Sequence, residues 1–359
     1  MSSIGPVIVS LSGKKLLDKE KTLLSDPMVG GLVLFRENYD EDLPDPLAAL
    51  KELIAEVRKI KPDILIMVDH EGAIWRFKKG FTRIKSHQEI GLEYDKDPKE
   101  GLKLSYEQGK LMAQELIAAG VNMSLAPVLD LEGPSEIIGK LKRAFHKDPK
   151  VVVLLAEQFI LGMKAAGMPV TGKHFPGHGT TKADSHEALP RDERTPEDLE
   201  PDLYTFQTLS QRGLLDAVMP AHILFPKVDS KNPAGFSEIW INNILRKRCE
   251  FKGVVMSDCL SMKGADVGDT FARLNQARKV CDFLMFTHQH GDALDKLLEA
   301  LPQLKKIEEN KGAAERREQL ALAVKGGSKK DPINKESSKE VPPFLLSQGM
   351  NSQPKGGGI

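Results

Sequence analysis

Cysteine is scarce in this chain of 359 residues. Cys249, Cys259 and Cys281 form an odd set with no metal-type spacing. That argues against a disulfide scaffold and points to a reduced, cytoplasmic setting. An excess of either charge is also missing. Lys plus Arg and Asp plus Glu both count 51, so the formal charge is zero and the basic surplus of a nucleic-acid binder is absent. No run approaches the ~18 apolar residues that cross a bilayer, so no membrane association is expected. The opening segment, Met1 to Ser10, lacks a basic stretch and is apolar only over a strand's length, so no secretory leader is expected. Also lacking is a G-x-G-x-x-G turn after a strand, which disfavours an open doubly wound nucleotide-binding sheet.

What is present is an alternation of short apolar runs and longer amphipathic ones. The predicted strands are Val7–Ser10, Leu32–Phe35, Ile64–Val68, Asn122–Ala126, Pro169–Gly172, Ala217–Pro220, Gly253–Ser257 and Phe283–Phe286. Helical periodicity covers Pro46–Ile60, where Leu50, Leu53, Ile54 and Val57 recur at i, i+3, i+4 and i+7. It returns over Lys103–Ala119, Val151–Ala166, Leu199–Gln211, Glu238–Arg248 and Asp292–Leu301. Strands rich in Val, Ile and Leu without polar alternation suggest parallel strands covered by helices. Eight such repeats predict an α/β fold, a single (β/α)8 TIM-type barrel over residues 1–325. From residue 326 to 359 the chain turns to Gly, Ser, Lys and Pro, a composition expected to form a disordered C-terminal tail.

Barrels place their chemistry at the carboxyl ends of the strands. The predicted strands exit there into Arg36-Glu37-Asn38, Asp69-His70-Glu71, Asp130, Lys173-His174, His222 and Asp258. Asp258, after an apolar strand, is placed to attack an anomeric carbon, although a strand-ending Asp often serves only as a helix cap. On the Gly-rich loop after strand five, Asp184 precedes His186 by two residues. A lone loop histidine is usually inert, but an adjacent carboxylate raises its pKa and holds its tautomer, which suits a proton donor. Lys173, His174, Asp69, Arg76 and Arg143 are each as easily salt-bridged rim residues as ligands, yet their convergence at one mouth suggests binding. His174, His178 and His222 raise the question of a metal centre. Barrel amidohydrolases carry His-x-His after strand one, where this chain has Ser12-Gly13-Lys14, so no metal is expected. Asp130-Leu131-Glu132 is similar to the Asp-x-Glu of substrate-assisted chitinases. The positions upstream are Ala126, Pro127 and Val128, so Asp130 is read as a structural rim residue.

These residues carry a family resemblance. Lys173-His174-Phe175-Pro176-Gly177-His178-Gly179, Asp184-Ser185-His186 and Ser257-Asp258-Cys259-Leu260-Ser261-Met262 resemble the bacterial, cytoplasmic β-N-acetylglucosaminidases of glycoside hydrolase family 3. Val29 to Phe35 and Ala126 to Asp130 support the resemblance. It implies a retaining hydrolase of cell-wall recycling that releases terminal N-acetylglucosamine from 1,6-anhydro-N-acetylmuramic acid, with or without peptide. In that family Asp258 would be the nucleophile and His186, oriented by Asp184, the acid/base. Asp69, Arg76, Arg143, Lys173 and His174 would hold the sugar. No cofactor is implied, the partner is the small-molecule substrate, and a monomer is expected. The chain departs from the family pattern between Asp69 and Arg76, which is one residue shorter, in the basic approach to Arg143, and at Cys259, where the family often has a second Asp. Two rivals stay open: phosphorolysis by the same residues, and a non-catalytic sugar-binding barrel.

Overall fold

Aspartate followed by proline starts three of the longer helices in the computed structural model, which describes residues 4–181 and 189–327. Asp45, Asp97 and Asp148 accept backbone N–H bonds from the first turns of Pro46–Ile60, Pro98–Ala118 and Pro149–Ala165, each with proline just inside. The helix Pro46–Ile60 follows its predicted stripe, burying Leu50, Leu53, Ile54 and Val57. Pro98–Ala118 and Pro149–Ala165 lie backbone to backbone. A Cβ on Gly109 would stand 2.2 Å from the Phe159 carbonyl, so only glycine permits that approach.

Among the described residues there are eight strands: β1 (Val7–Ser10), β2 (Val29–Leu34), β3 (Leu65–Val68), β4 (Met123–Ser124), β5 (Thr171–Phe175), β6 (Ala217–Pro220), β7 (Val254–Val255) and β8 (Leu284–Met285). All pairings are parallel, in a sheet ordered β4-β3-β2-β1-β8 and a second ordered β5-β6-β7. Isolated bridges, Val128 to Lys173 and Met256 to Phe283, link the two. The α/β class with a curled parallel sheet agrees with the reading of the sequence. The regular ladder is shorter than expected at β4, β7 and β8, where only two residues each pair. β2 begins at Val29, because Gly30 lies so close to Gly5 that no side chain fits. β5 runs on through Lys173 and His174, whose polar side chains are buried within the fold rather than marking its edge.

Both faces of the strands are apolar. Ile8, Val33, Met67, Met123, Met219 and Met285 fill the concave side, while Val7, Val9, Leu32, Leu34, Ile66 and Val68 face the helices. This double burial is why the strand runs show no polar alternation. At the amino-terminal ends, Asp282 is buried and binds Arg246 of the π-helical segment Ile239–Arg248 and Arg316 of the helix Ala313–Gly327. No helix among the described residues is long and apolar enough to cross a membrane. Residues 328–359, which make up nearly all of the expected tail, lie outside the described residues.

Candidate active site

β3 ends at Val68 and releases Asp69-His70-Glu71 into a turn closed by the Glu71 N–H donating to the Ile74 carbonyl at 2.9 Å. Glu71 is fully buried. Its carboxylate takes a paired hydrogen bond from Arg143 and an ion pair from Lys173 Nζ at 2.8 Å. Lys173 Nζ also lies 2.6 Å from Asp69 Oδ1, and Arg76 Nη2 lies 3.2 Å from Asp69 Oδ2. Three cations from separate strand ends thus share two carboxylates. Burial pushes the Asp69 and Glu71 carboxyls up, but Lys173, Arg76 and Arg143 outweigh it for Asp69, and Arg143 and Lys173 for Glu71. Both stay well below the ordinary carboxylate range and are anionic at neutral pH. For Arg143, burial acts to lower the pKa and the Glu71 carboxylate more than offsets it, so the guanidinium stays charged.

His174 is set by Asp130. Oδ2 of that carboxylate lies 2.7 Å from His174 Nδ1, and Oδ1 accepts the backbone N–H groups of His174 at 3.2 Å and His178 at 2.8 Å. Burial raises the Asp130 carboxyl pKa, but His174 lowers it by more. With Nδ1 turned to the carboxylate, Nε2 is the ring's other polar atom. Burial, reinforced by His174, pushes His178 down to about 4.

Asp258 follows β7 and is half-buried, with the Cys259 N–H donating to its Oδ1 at 2.7 Å. His222 is buried close by. Its ring stacks on Phe236 at 5.5 Å, and burial holds its imidazole below the ordinary value against the pull of Asp258. The Asp258 side chain faces a cavity of about 470 Å³. That volume suits a small ligand. Asp69, Arg76, Arg143, Lys173 and His174 line the same cavity. The structure therefore brings together Asp258 and the five sugar-binding candidates. Asp184 and His186 lie outside the described residues, so their position relative to Asp258 is not described.

The loop that leads toward them is anchored at its base. Gly179 O accepts the Ser135 N–H at 3.0 Å, and Gly177 packs so tightly that a Cβ would fall 2.2 Å from Asp202 Oδ1. Asp202 in turn pairs with Arg194 at 2.7 Å, and Arg194 with Asp192 at 2.8 Å.

Reading the sequence overlooked two residues here. Glu71 seemed one more polar strand exit, and only the fold reveals its shared cations. Asp130 is not on the rim as expected but fully buried beneath His174. A signal for it was available, since a carboxylate flanked by Leu129 and Leu131 in an apolar stretch needs a partner. Among the described residues no group of three His, Cys, Asp or Glu side chains is disposed to hold a metal ion.

Comparison with known proteins gives consistent matches. A family model described as "Glycosyl hydrolase family 3 N terminal domain" matches residues 6–318. A beta-hexosaminidase of Thioalkalivibrio sulfidiphilus is 43% identical over 304 residues, covering 83% of this chain and 85% of its own. One from Neisseria meningitidis is 38% identical over 360 residues, covering 98% and 96% respectively. Among solved structures, NagZ from Neisseria gonorrhoeae in complex with N-trifluoroacetyl-D-glucosamine superposes with a TM-score of 0.79 at 36% identity, covering 91% of this chain and 94% of that one.

Proposed function

The chain belongs to glycosyl hydrolase family 3, and from that membership we propose that it is a retaining exo-β-N-acetylglucosaminidase. The observation that carries the proposal is the presence of Asp258 on the wall of a cavity also lined by Asp69, Arg76, Arg143, Lys173 and His174. The beta-hexosaminidase relatives and the sugar-bound neighbour support an N-acetylglucosamine substrate. In this reading the scaffold, residues 1–325, is a closed (β/α)8 barrel, a view supported by the two bridges that join its sheets.

Asp258 attacks C1 of the sugar and forms an ester bond as the glycosidic C1–O bond breaks. His186, oriented by Asp184, gives its proton to the leaving oxygen. Water then attacks C1, His186 takes the proton back, and the Asp258 carboxylate is released with the β configuration retained. Asp69 accepts from sugar hydroxyls, while Arg76, Arg143, Lys173 and His174 donate to them or to the acetamido group. The leaving part is 1,6-anhydro-N-acetylmuramic acid, with or without peptide, and the enzyme acts as a cytoplasmic monomer in cell-wall recycling without a cofactor.

Asp258→Ala should lower turnover of a neutral aryl N-acetylglucosaminide by roughly a thousandfold or more. Wild-type turnover by that variant would overturn the proposal. NMR of the first-formed product, with and without phosphate, separates hydrolysis with retention from phosphorolysis, which would yield the sugar 1-phosphate.

A further inference from the structure

The strand that carries Asp258 is short. Regular pairing of β7 stops at Val255, and an isolated bridge, Met256 to Phe283, follows it. The ladder therefore ends before the carboxylate, and side chains take over its work. Ahead of Asp258, Ser257 Oγ accepts the Met285 N–H at 2.9 Å, and the Ser257 N–H donates to the Phe283 carbonyl at 2.9 Å. Behind it, Cys259 Sγ lies 2.9 Å from Thr287 Oγ1 and accepts the Thr287 N–H at 3.4 Å. Ser261 Oγ lies 3.0 Å from the same sulfur, and the Leu260 N–H donates to the Met285 carbonyl at 2.7 Å. Asp258 is thus flanked on both sides by residues tied to β8 or to Thr287 just beyond it.

We infer that Thr287, acting through Cys259, is a positioning residue for Asp258. The inference rests on the glycosidase reading, which gives Asp258 the part of nucleophile. An attacking carboxylate has to stand about 3–3.5 Å from the carbon it attacks, with its oxygen aligned on the bond that breaks. The Cys259 N–H holds Asp258 Oδ1 at 2.7 Å, so the carboxylate is placed only as accurately as the peptide of residue 259. The Cys259 side chain is the handle on that peptide, and Thr287 grips it with both its hydroxyl and its backbone N–H. Thr287 is 1% exposed and Cys259 8%, so water is largely kept from competing for these bonds. The grip spans two strand ends, which makes the position of Asp258 depend on the turn after β8 as well as on its own strand.

The test uses the full chain and a neutral aryl N-acetylglucosaminide. Thr287→Val keeps the shape of the side chain and removes its hydroxyl. Its kcat and kcat/KM should fall together by about tenfold, with KM unchanged. Cys259→Ala removes the same contact from the other side and should match it. Thr287→Ser restores the hydroxyl and should recover turnover to within about twofold of the wild type. Inhibition by free N-acetylglucosamine should keep its wild-type Ki in all three variants. In an Asp258→Ala background Thr287→Val should cost no further activity, because no carboxylate is left to position. A rise in KM at constant kcat would make Thr287 a sugar ligand and overturn the inference. Equal losses in the valine and serine variants would overturn it, as would a lowered melting temperature with unchanged kcat. If the wild type itself cleaves no N-acetylglucosaminide, the glycosidase reading fails and the inference falls with it.

Discussion

Lys173 Nζ stands 2.6 Å from Asp69 Oδ1, across a gap between strand ends that no local contact could close. The same ammonium reaches Glu71 at 2.8 Å, so it keeps the half-buried Asp69 and the buried Glu71 carboxylates from facing each other bare. Lys173→Met should therefore cost about 3–5 kcal/mol of stability in urea unfolding, because it strands buried charge rather than merely deleting a contact. A loss below about 1 kcal/mol would mean that Arg76 and Arg143 alone suffice.

Acid should destabilise the protein in two stages. Burial pushes His70 and His87 down to about 4, whereas the unfolded chain titrates near the ordinary 6.5. Between these values the unfolded state binds more protons, so stability falls as pH drops, by a few kcal/mol per histidine at most. Asp69, Glu71 and Asp130, with depressed pKa values, contribute stability that is present above their ordinary range and lost at still lower pH. Thermal melts from pH 7 to pH 4.5 should decline, and His87→Leu should show a shallower slope. A flat profile in the wild type would contradict the assignment.

Gly177→Ala should disturb the loop base. The new methyl would meet Asp202 Oδ1 at 2.2 Å, and Asp202 is fixed by Arg194. A destabilisation of about 1–3 kcal/mol is expected from overpacking of this kind. Activity on an aryl glycoside should fall further than the folded fraction does, since the displaced backbone carries His178 at the cavity wall. Loss of stability with unchanged kcat would rule out that coupling.

A contrasting variant is Asp282→Ala. Its carboxylate accepts from Arg246 at 2.7 Å, from Arg316 at 2.7 Å and from the Val255 N–H at 2.8 Å, at the end of the strands away from the cavity. Removing it strands two arginines and should cost about 3–5 kcal/mol. The kcat of the folded enzyme at 25 °C should stay near the wild-type value, and a large drop would show that the two ends communicate.

How far the sequence revealed all this depends on range. Val7–Ser10 and Pro46–Ile60 have their predicted bounds because periodicity and an Asp-Pro cap are local signals. The helix Asp18–Ser25 was passed over because five of its eight residues are polar or charged before any apolar stripe forms. His87–Lys96 buries His87 and Gly91 beside Ile90, a face that does not look apolar on paper. Ala313–Gly327 is rich in charge, which hides a short apolar stripe of Leu320, Ala321 and Val324 that packs against the strands, and Arg316 adds its pairing with Asp282. At the site, strand-end polarity was enough to nominate Lys173, whereas Arg143, well beyond the end of β4, rested on the family resemblance. Their shared partner Glu71 emerged only once folding had brought distant segments together.

Asp130 joins two roles that are usually separable. It clasps β5 and the turn beyond it at the seam where Val128 bridges to Lys173, and it also aims the imidazole of His174. Architectural rigidity and the orientation of the His174 ring therefore draw on the same carboxylate, and neither is adjustable alone. Elsewhere on the same cavity the lining is built from ring contacts instead, Phe35 against His288 at 4.4 Å between centroids.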